Sequence, residues 1–335
     1  MATGRRSYSG AGPFWSRRRS DSEQGARVAI GKASSLQADG SGLAVAQVSP
    51  MDIKFWGVRG SIATSGPEFA KFGGNTTCVE VVVGGQRIIL DAGTGIRGLG
   101  AQMMKRPRLG RTAMLWSHLH WDHIQGFPFF MPAFVKGAEL TLYGPGAGGG
   151  ERLRAALSAQ MQPPTFPVTL DAMGAAMEFK DAKAGDEFVI NEALVKTIGL
   201  DHPNGCIGYR IEGDGASVVF CTDVEMGATI REDLVEFARG ADLLIFDAQY
   251  TPSEYEGKVG PPKKGWGHST MIDAAKLALA AEVKNLALTH HDPSHSDRVV
   301  ERMETAARFT FDNTAAAREG DRFEFSGIRM HQRAG

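Results

Sequence analysis

The stretch Ser117-His118-Leu119-His120-Trp121-Asp122-His123 constrains this 335-residue chain more than any other. It follows the apolar run 113–116, which reads as a β-strand. On an extended chain, residues two apart point the same way, so His118 and His120 can grip one ion. Asp122 and His123 lie beyond, where the chain turns, and can reach a second. Imidazole with carboxylate suits Zn²⁺ and nearby divalent metals. Four such groups in six residues make a metal motif rather than a row of solvated loop histidines.

Three single residues fit the same plan. His202 follows the run 193–199, Asp223 follows 217–221, and His290 follows 285–288. Each sits where a strand gives way to a loop, the usual place for site residues on a rigid frame. Taken singly, each is an ordinary polar residue; with the cluster they complete two sites. The rest of the chain supplies the frame. Residues 52–56 read as a first strand, and 77–83 with 87–91 as a hairpin about Gly84-Gly85. Residues 139–143 read as a strand and 151–161 as a helix. A second hairpin joins 207–211 to 217–221 through Gly213-Asp214-Gly215. Residues 234–239 end a helix, and 242–246 form a buried strand. Residues 270–281 read as a helix opened by a Thr270–Asp273 capping box, and 298–309 as another. Hairpins in each half, then strands mixed with helices, predict an α/β fold: two sheets face to face with helices outside.

The order H-x-H-x-D-H, then a distant His, an Asp and a last His, resembles the metallo-β-lactamase superfamily. Asp91-Ala-Gly-Thr-Gly95 resembles its D-x-G turn. The likeness runs in order over residues 51–330, which it marks as one hydrolase domain. It implies a four-layer αβ/βα sandwich of two mixed β-sheets, with the site in a cleft between them. It also implies a first metal site of His118, His120, His202 and Asp223. A second would be Asp122, His123, Asp223 and His290, with Asp223 bridging. His291 is the nearest competitor for the last place. His290 is preferred because it directly follows 286–289, as in the family's pattern. True β-lactamases lack the bridging aspartate, and flavin-dependent di-iron relatives carry glutamate where this chain has His120. Antibiotic hydrolysis and oxidoreduction are disfavoured accordingly.

Gly265-Trp-Gly-His268-Ser-Thr270 and Asp247, after the strand 242–246, resemble the tRNA 3′-processing endonucleases and their phosphodiesterase relatives. Asp247 stands where that family has glutamate, and Phe246 where it has histidine. The resemblance implies two divalent ions, Zn²⁺ ahead of Mn²⁺ or Fe²⁺, that hold a water and clamp a phosphate. Asp122 would orient the nucleophile, and His268, held by Asp247, would protonate the leaving alkoxide. The helix beginning after Thr270 opposes a charge on His268, and the carboxylate is expected to win at contact distance. Phe55-Trp-Gly-Val-Arg-Gly-Ser61 and Gly73-Gly-Asn-Thr-Thr-Cys78 resemble the bacterial branch that holds the phosphoribosyl cyclic phosphodiesterases. The best-known member of that branch carries a cysteine-bearing zinc site, which the scattered Cys78, Cys206 and Cys221 cannot build. The class of reaction carries over and the named substrate does not.

Arg59 and Ser61 are the substrate contacts on this reading. Arg59 either pairs with a phosphate or makes a surface ion pair. The aromatic stretch 127–135 reads as core, with a cleft wall as the alternative. Lys258, Lys263 and Lys264 read as a solvated loop, with a phosphate contact as the alternative.

Charge and composition narrow the partners. The net charge is −1, so no global basic field points to nucleic acid or a membrane. No apolar run approaches a membrane span. Residues 1–50 hold seven basic and three acidic residues, a net of +4, which leaves −5 on the remainder. That Ser-, Gly- and Ala-rich segment reads as a disordered tail. Arg17–Arg19 resemble a twin-arginine signal, but a polar stretch follows; an organelle transit peptide and a true start at Met51 are the other readings. The tRNA enzymes carry a long RNA-clasping arm between the third histidine and the bridging aspartate. Here a hairpin fills 202–223. The expected protein is a cytoplasmic dinuclear-metal phosphodiesterase acting on a small or cyclic phosphodiester, a cyclic nucleotide among the candidates. A tRNA-processing ribonuclease ranks second and a lactonase or thioesterase third. A non-catalytic metal sensor ranks last. The sequence leaves the oligomeric state open, a homodimer being one candidate.

Overall fold

Alternation starts the domain. In β1 (Met51–Gly57), Met51, Ile53 and Phe55 are buried while Asp52, Lys54 and Trp56 stay partly exposed, the period of two of a strand with one core face. The computed structural model describes residues 50–106, 108–227 and 229–325. The segment read as a tail, but for residue 50, and residues 326–330 of the expected domain lie outside the described residues. β1 pairs antiparallel with β2 (Cys78–Val83), which turns into β3 (Gln86–Leu90). Gly84 and Gly85 both take positive φ (55° and 72°), as a two-residue hairpin of this hand requires. β4 (Thr112–Leu115), β5 (Glu139–Pro145) and β6 (Ala176–Ala182) then continue the sheet in parallel from β3.

The second sheet runs antiparallel through β7 (Glu187–Ile190), β8 (Ala193–Leu200), β9 (Cys206–Gly213) and β10 (Ala216–Cys221). It becomes parallel through β11 (Leu243–Asp247), β12 (Leu286–Thr289) and β13 (Thr314–Ala316). β14 (Arg322–Phe325) returns to the first sheet and pairs with β1. Among the described residues there are two seven-stranded sheets, in the orders β14-β1-β2-β3-β4-β5-β6 and β13-β12-β11-β10-β9-β8-β7.

One core lies between the sheets, where Ile53, Val81 and Leu115 meet Val195, Ile211 and Val218. The outer face of the first sheet is covered by α1 (Ile96–Met103) and α3 (Gly149–Gln160), through Leu99 and Leu153. α4 (Glu232–Ala238), α6 (Met271–Ala280) and α7 (Asp297–Arg308) cover the second sheet, through Leu234, Ala274 and Met303. Single turns α2 (Trp121–Ile124) and α5 (Pro252–Tyr255) follow β4 and β11. The result is the expected four-layer αβ/βα sandwich. Sequence reading recovers the interior strands and misses β6, β7, β13 and β14, which are the four sheet edges. β6 is mostly exposed or half-buried and so carries no strong apolar pattern, while β13 is buried but only three residues long. No helix among the described residues is long and apolar enough to cross a membrane.

Candidate metal centre

The chemistry-bearing residues collect where strands of both sheets end. His118 and His120 follow β4, and α2 turns the chain so that Asp122 and His123 come back toward them. His202 follows β8, Asp223 follows β10 and His290 follows β12. Ligand atoms of His118, His120 and His202 lie within 4.8 Å of one another, as do those of Asp122, His123, Asp223 and His290. His202 Nε2 stands 3.0 Å from His120 Nδ1. His290 Nε2 stands 3.2 Å from Asp122 Oδ2 and 3.3 Å from His123 Nε2. Asp223 divides its oxygens between the groups. Its Oδ2 lies 3.5 Å from His118 Nε2 and 3.7 Å from His202 Nε2, and its Oδ1 lies 3.3 Å from His123 Nε2 and 3.2 Å from His290 Nε2.

These residues fit a pair of divalent ions. Ligands about 2.0–2.1 Å from a tetrahedral ion stand about 3.3 Å apart, which is the spacing found. His118 Nε2 is buried and has no hydrogen-bond partner. Asp91, Asp122, Asp223 and Asp247 are all buried, a set of four carboxylates that a low-dielectric interior tolerates only with cations among them.

Partners on the far side of each ring set the tautomers. Asp91 Oδ2 faces His123 Nδ1 at 2.8 Å and Gln249 Oε1 faces His290 Nδ1 at 2.9 Å. Gly267 O lies 2.8 Å from His202 Nδ1. Each leaves Nε2 free to bind, the usual support of metal-ligating histidine. Ser61 donates its backbone N–H to Asp122 Oδ2 at 2.7 Å. Ser61, Asp91, Asp223 and His290 all take positive φ, between 57° and 62°, so backbone strain concentrates at this site.

His268 stacks on His290 with ring centroids 4.9 Å apart, at the edge of the cluster. Its Nδ1 lies 2.8 Å from Asp247 Oδ2. Asp247 is held in turn by the N–H groups of Val224 and Gln249. Burial opposes a charge on His268, but Asp247, with Asp223 and Asp122 behind it, raises it from 6.5 to about 9. The carboxylates thus outweigh the burial. His291 points away from the cluster, its Nε2 3.0 Å from Ala317 O. Burial, with Arg59 beside it, lowers it to about 3.

Two expectations need correction. Arg59 is neither a phosphate clamp nor a surface ion pair. It is fully buried and donates to the carbonyls of Gly73, Asp292 and His295 at 2.9, 3.2 and 2.6 Å, so it ties its own loop to two others from within. The stretch 127–135 is divided. Phe127, Phe130 and Ala133 join the core under α1, while Phe129 and Met131 are exposed. The cavity against His118 and His120, about 370 Å³, is walled instead by Leu119, Arg152, Asn204 and Ile207.

Sequence reading passed over Glu225 and Gln249, and saw Asp91 only as part of a turn. Gln249 had one local signal, its place two residues after Asp247 on the same side of the chain. Glu225 had none. It accepts hydrogen bonds from Gly265 N and Gly267 N, both at 2.8 Å, and from Tyr255 Oη at 2.6 Å, and so holds the loop that leads to His268.

Fold and cluster together define a metal-dependent hydrolase. Residues 86–291 match the family described as the beta-lactamase superfamily domain, and the chain belongs to that family. A ribonuclease Z of Exiguobacterium sp. is 27% identical over 251 residues, 60% of this chain and 78% of that protein. Among solved structures, the metallo-beta-lactamase fold protein YhfI from Bacillus subtilis superposes with a TM-score of 0.62 at 18% identity, over 82% of this chain and 99% of that one. A diphosphatase of the PhnP family superposes with a TM-score of 0.59 at 18% identity, over 84% of this chain and all of the other.

Proposed function

We propose that this protein hydrolyses small or cyclic phosphodiesters with two divalent ions. His118, His120, His202 and Asp223 would hold one ion, and Asp122, His123, Asp223 and His290 the other. The observation that carries the reading is the His268–Asp247 contact of 2.8 Å at the edge of the cluster. Bound divalent ions supply Lewis acidity and lower the pKa of water. The chain supplies the rest. Asp122, fixed by the Ser61 N–H, orients the attacking group and takes its proton. With Nδ1 engaged by Asp247, His268 has Nε2 left to give a proton to the leaving alkoxide. Asp247, acceptor only when ionised, takes the Nδ1–H and supports the imidazolium, whose Nε2–H is the proton given and which is left as neutral imidazole. A thiolate leaves without such an acid, which favours phosphodiesters over thioesters.

A small substrate fits both the 370 Å³ cavity and the hairpin β9–β10, which consumes the stretch from His202 to Asp223 where the tRNA enzymes insert an arm. The curated relatives named ribonuclease Z support a phosphodiester of some kind and keep RNA as the second reading. The test is turnover of bis(p-nitrophenyl) phosphate by metal-stripped protein titrated with Zn²⁺ and Mn²⁺. Cyclic nucleotides and a precursor tRNA are assayed beside it. Saturation near two metals per chain is expected. Metal binding with no phosphodiester turnover would overturn the proposal.

A further inference from the structure

The loop 256–267 that Glu225 holds has two working ends. Its inner end delivers Gly267 O to His202 and His268 to Asp247. Its outer end carries Lys263 and Trp266. Lys263 Nζ lies 4.0 Å from the centre of the Trp266 ring and 5.5 Å from that of Tyr250. Tyr250 packs edge-on against His268 at 5.9 Å. One aromatic ring thus separates the Lys263 ammonium from the candidate acid.

Both groups are left with capacity. Trp266 is 51% exposed, and the ammonium covers a single face of its indole. Lys263 is half-buried, and among the described residues no carboxylate lies within 4.0 Å of its Nζ; Lys258 in the same loop, by contrast, pairs with Glu256. Exposed Lys264 adds a further positive charge. A partly desolvated cation without an acid beside it, next to an open indole face, matches a ligand that is both flat and anionic.

We propose that Lys263 and Trp266 form a nucleotide subsite on the His268 side of the metal cluster. The base stacks on the open face of Trp266 and a phosphate of the same nucleotide pairs with Lys263. This rests on the phosphodiesterase reading, because it places the leaving group, and it narrows that group to a nucleotide. Glu225 makes the subsite rigid by tying Gly265, Gly267 and Tyr255 to one carboxylate. Gly267 takes φ 85°, and a Cβ there would stand 2.3 Å from His202 Nδ1, so the loop packs directly on the first metal group.

Calorimetry on the metal-loaded protein tests this without requiring turnover. The probes are adenosine 5′-monophosphate, adenosine and ribose 5-phosphate. The wild-type protein should prefer the nucleotide to both fragments. Trp266→Ala should shrink its preference over ribose 5-phosphate by at least about fivefold. Lys263→Met should shrink its preference over adenosine by a similar factor, and Lys263→Arg should restore part of it. Preferences unchanged in both variants, or no nucleotide binding at millimolar concentration, would overturn the subsite. Hydrolysis of bis(p-nitrophenyl) phosphate by the same preparations reports the reaction separately. Absent turnover with the expected preferences would remove the phosphodiesterase reading and leave a nucleotide site.

Discussion

Asp91→Asn probes the support of the second metal group directly. Asp91 directly follows β3, with φ 59°, and is 1% exposed. Its Oδ1 accepts the Ser117 N–H at 2.7 Å, and its Oδ2 accepts the Ser117 hydroxyl at 2.7 Å and faces His123 Nδ1 at 2.8 Å. An ionised carboxylate only accepts, so Nδ1 carries the imidazole proton and Nε2 turns its lone pair toward Asp122, Asp223 and His290. Asparagine keeps the shape and tolerates the left-handed backbone, but one of its two sides is an NH₂. With that side toward His123, Nδ1 becomes the acceptor and the proton moves to Nε2, where it blocks a metal. With the NH₂ toward Ser117, two donors meet. The second arrangement strands one buried donor, about 1–3 kcal/mol, against a total stability on the order of 5–15 kcal/mol. The variant should therefore fold. Losing such an orienting partner weakens a metal by about 10- to 100-fold, or about 1.4–2.7 kcal/mol. Titration of the stripped variant with Zn²⁺ should show one of two ions weakened by that factor. Two ions bound with wild-type affinity would refute the reasoning.

Three further outcomes follow from the same geometry. His268→Ala should slow hydrolysis of a dinucleotide by about 10²–10⁴-fold and of bis(p-nitrophenyl) phosphate by far less, since p-nitrophenolate leaves without a proton; equal losses on the two would remove the acid role. Glu225→Ala should lower kcat about tenfold with only a small change in Tm, because it loosens a partly exposed loop and not the core; a wild-type kcat would show that the loop needs no anchor. In metal-stripped protein His268 should titrate near 9 by NMR. A raised pKa means that the pair with Asp247 stabilises the stripped fold fully below about 6.5, and that this contribution fades as pH rises through about 9. A midpoint at or below 6.5 would break the Asp247 assignment.

The part of the site legible in the sequence is the part written locally. His118, His120, Asp122 and His123 lie within six residues, and strand period alone places the first two on one side. His202, Asp223 and His290 were readable because each ends an apolar run that had to be a strand. The Thr270 capping box was readable for the same reason: its two hydrogen bonds close within four residues. Arg59 misled because an arginine beside glycines looks like an anion clamp, whereas two of its three carbonyl partners lie more than 230 residues away in the loop 292–295.

By itself the sequence determined that two sheets would carry an imidazole–carboxylate cluster at their strand ends. It did so because alternation and metal spacing are properties of neighbouring residues. Only the tertiary structure decided that Asp223 turns one oxygen to each group, that Asp91 and Gln249 set the tautomers of His123 and His290, and that Glu225 anchors the loop bearing His268. The Asp223 contacts to His118 and His123 join strand ends of opposite sheets, and the others join ends of different strands and loops of one sheet. They depend on register and on how the two sheets pack, and no stretch of chain short enough to read locally contains both partners.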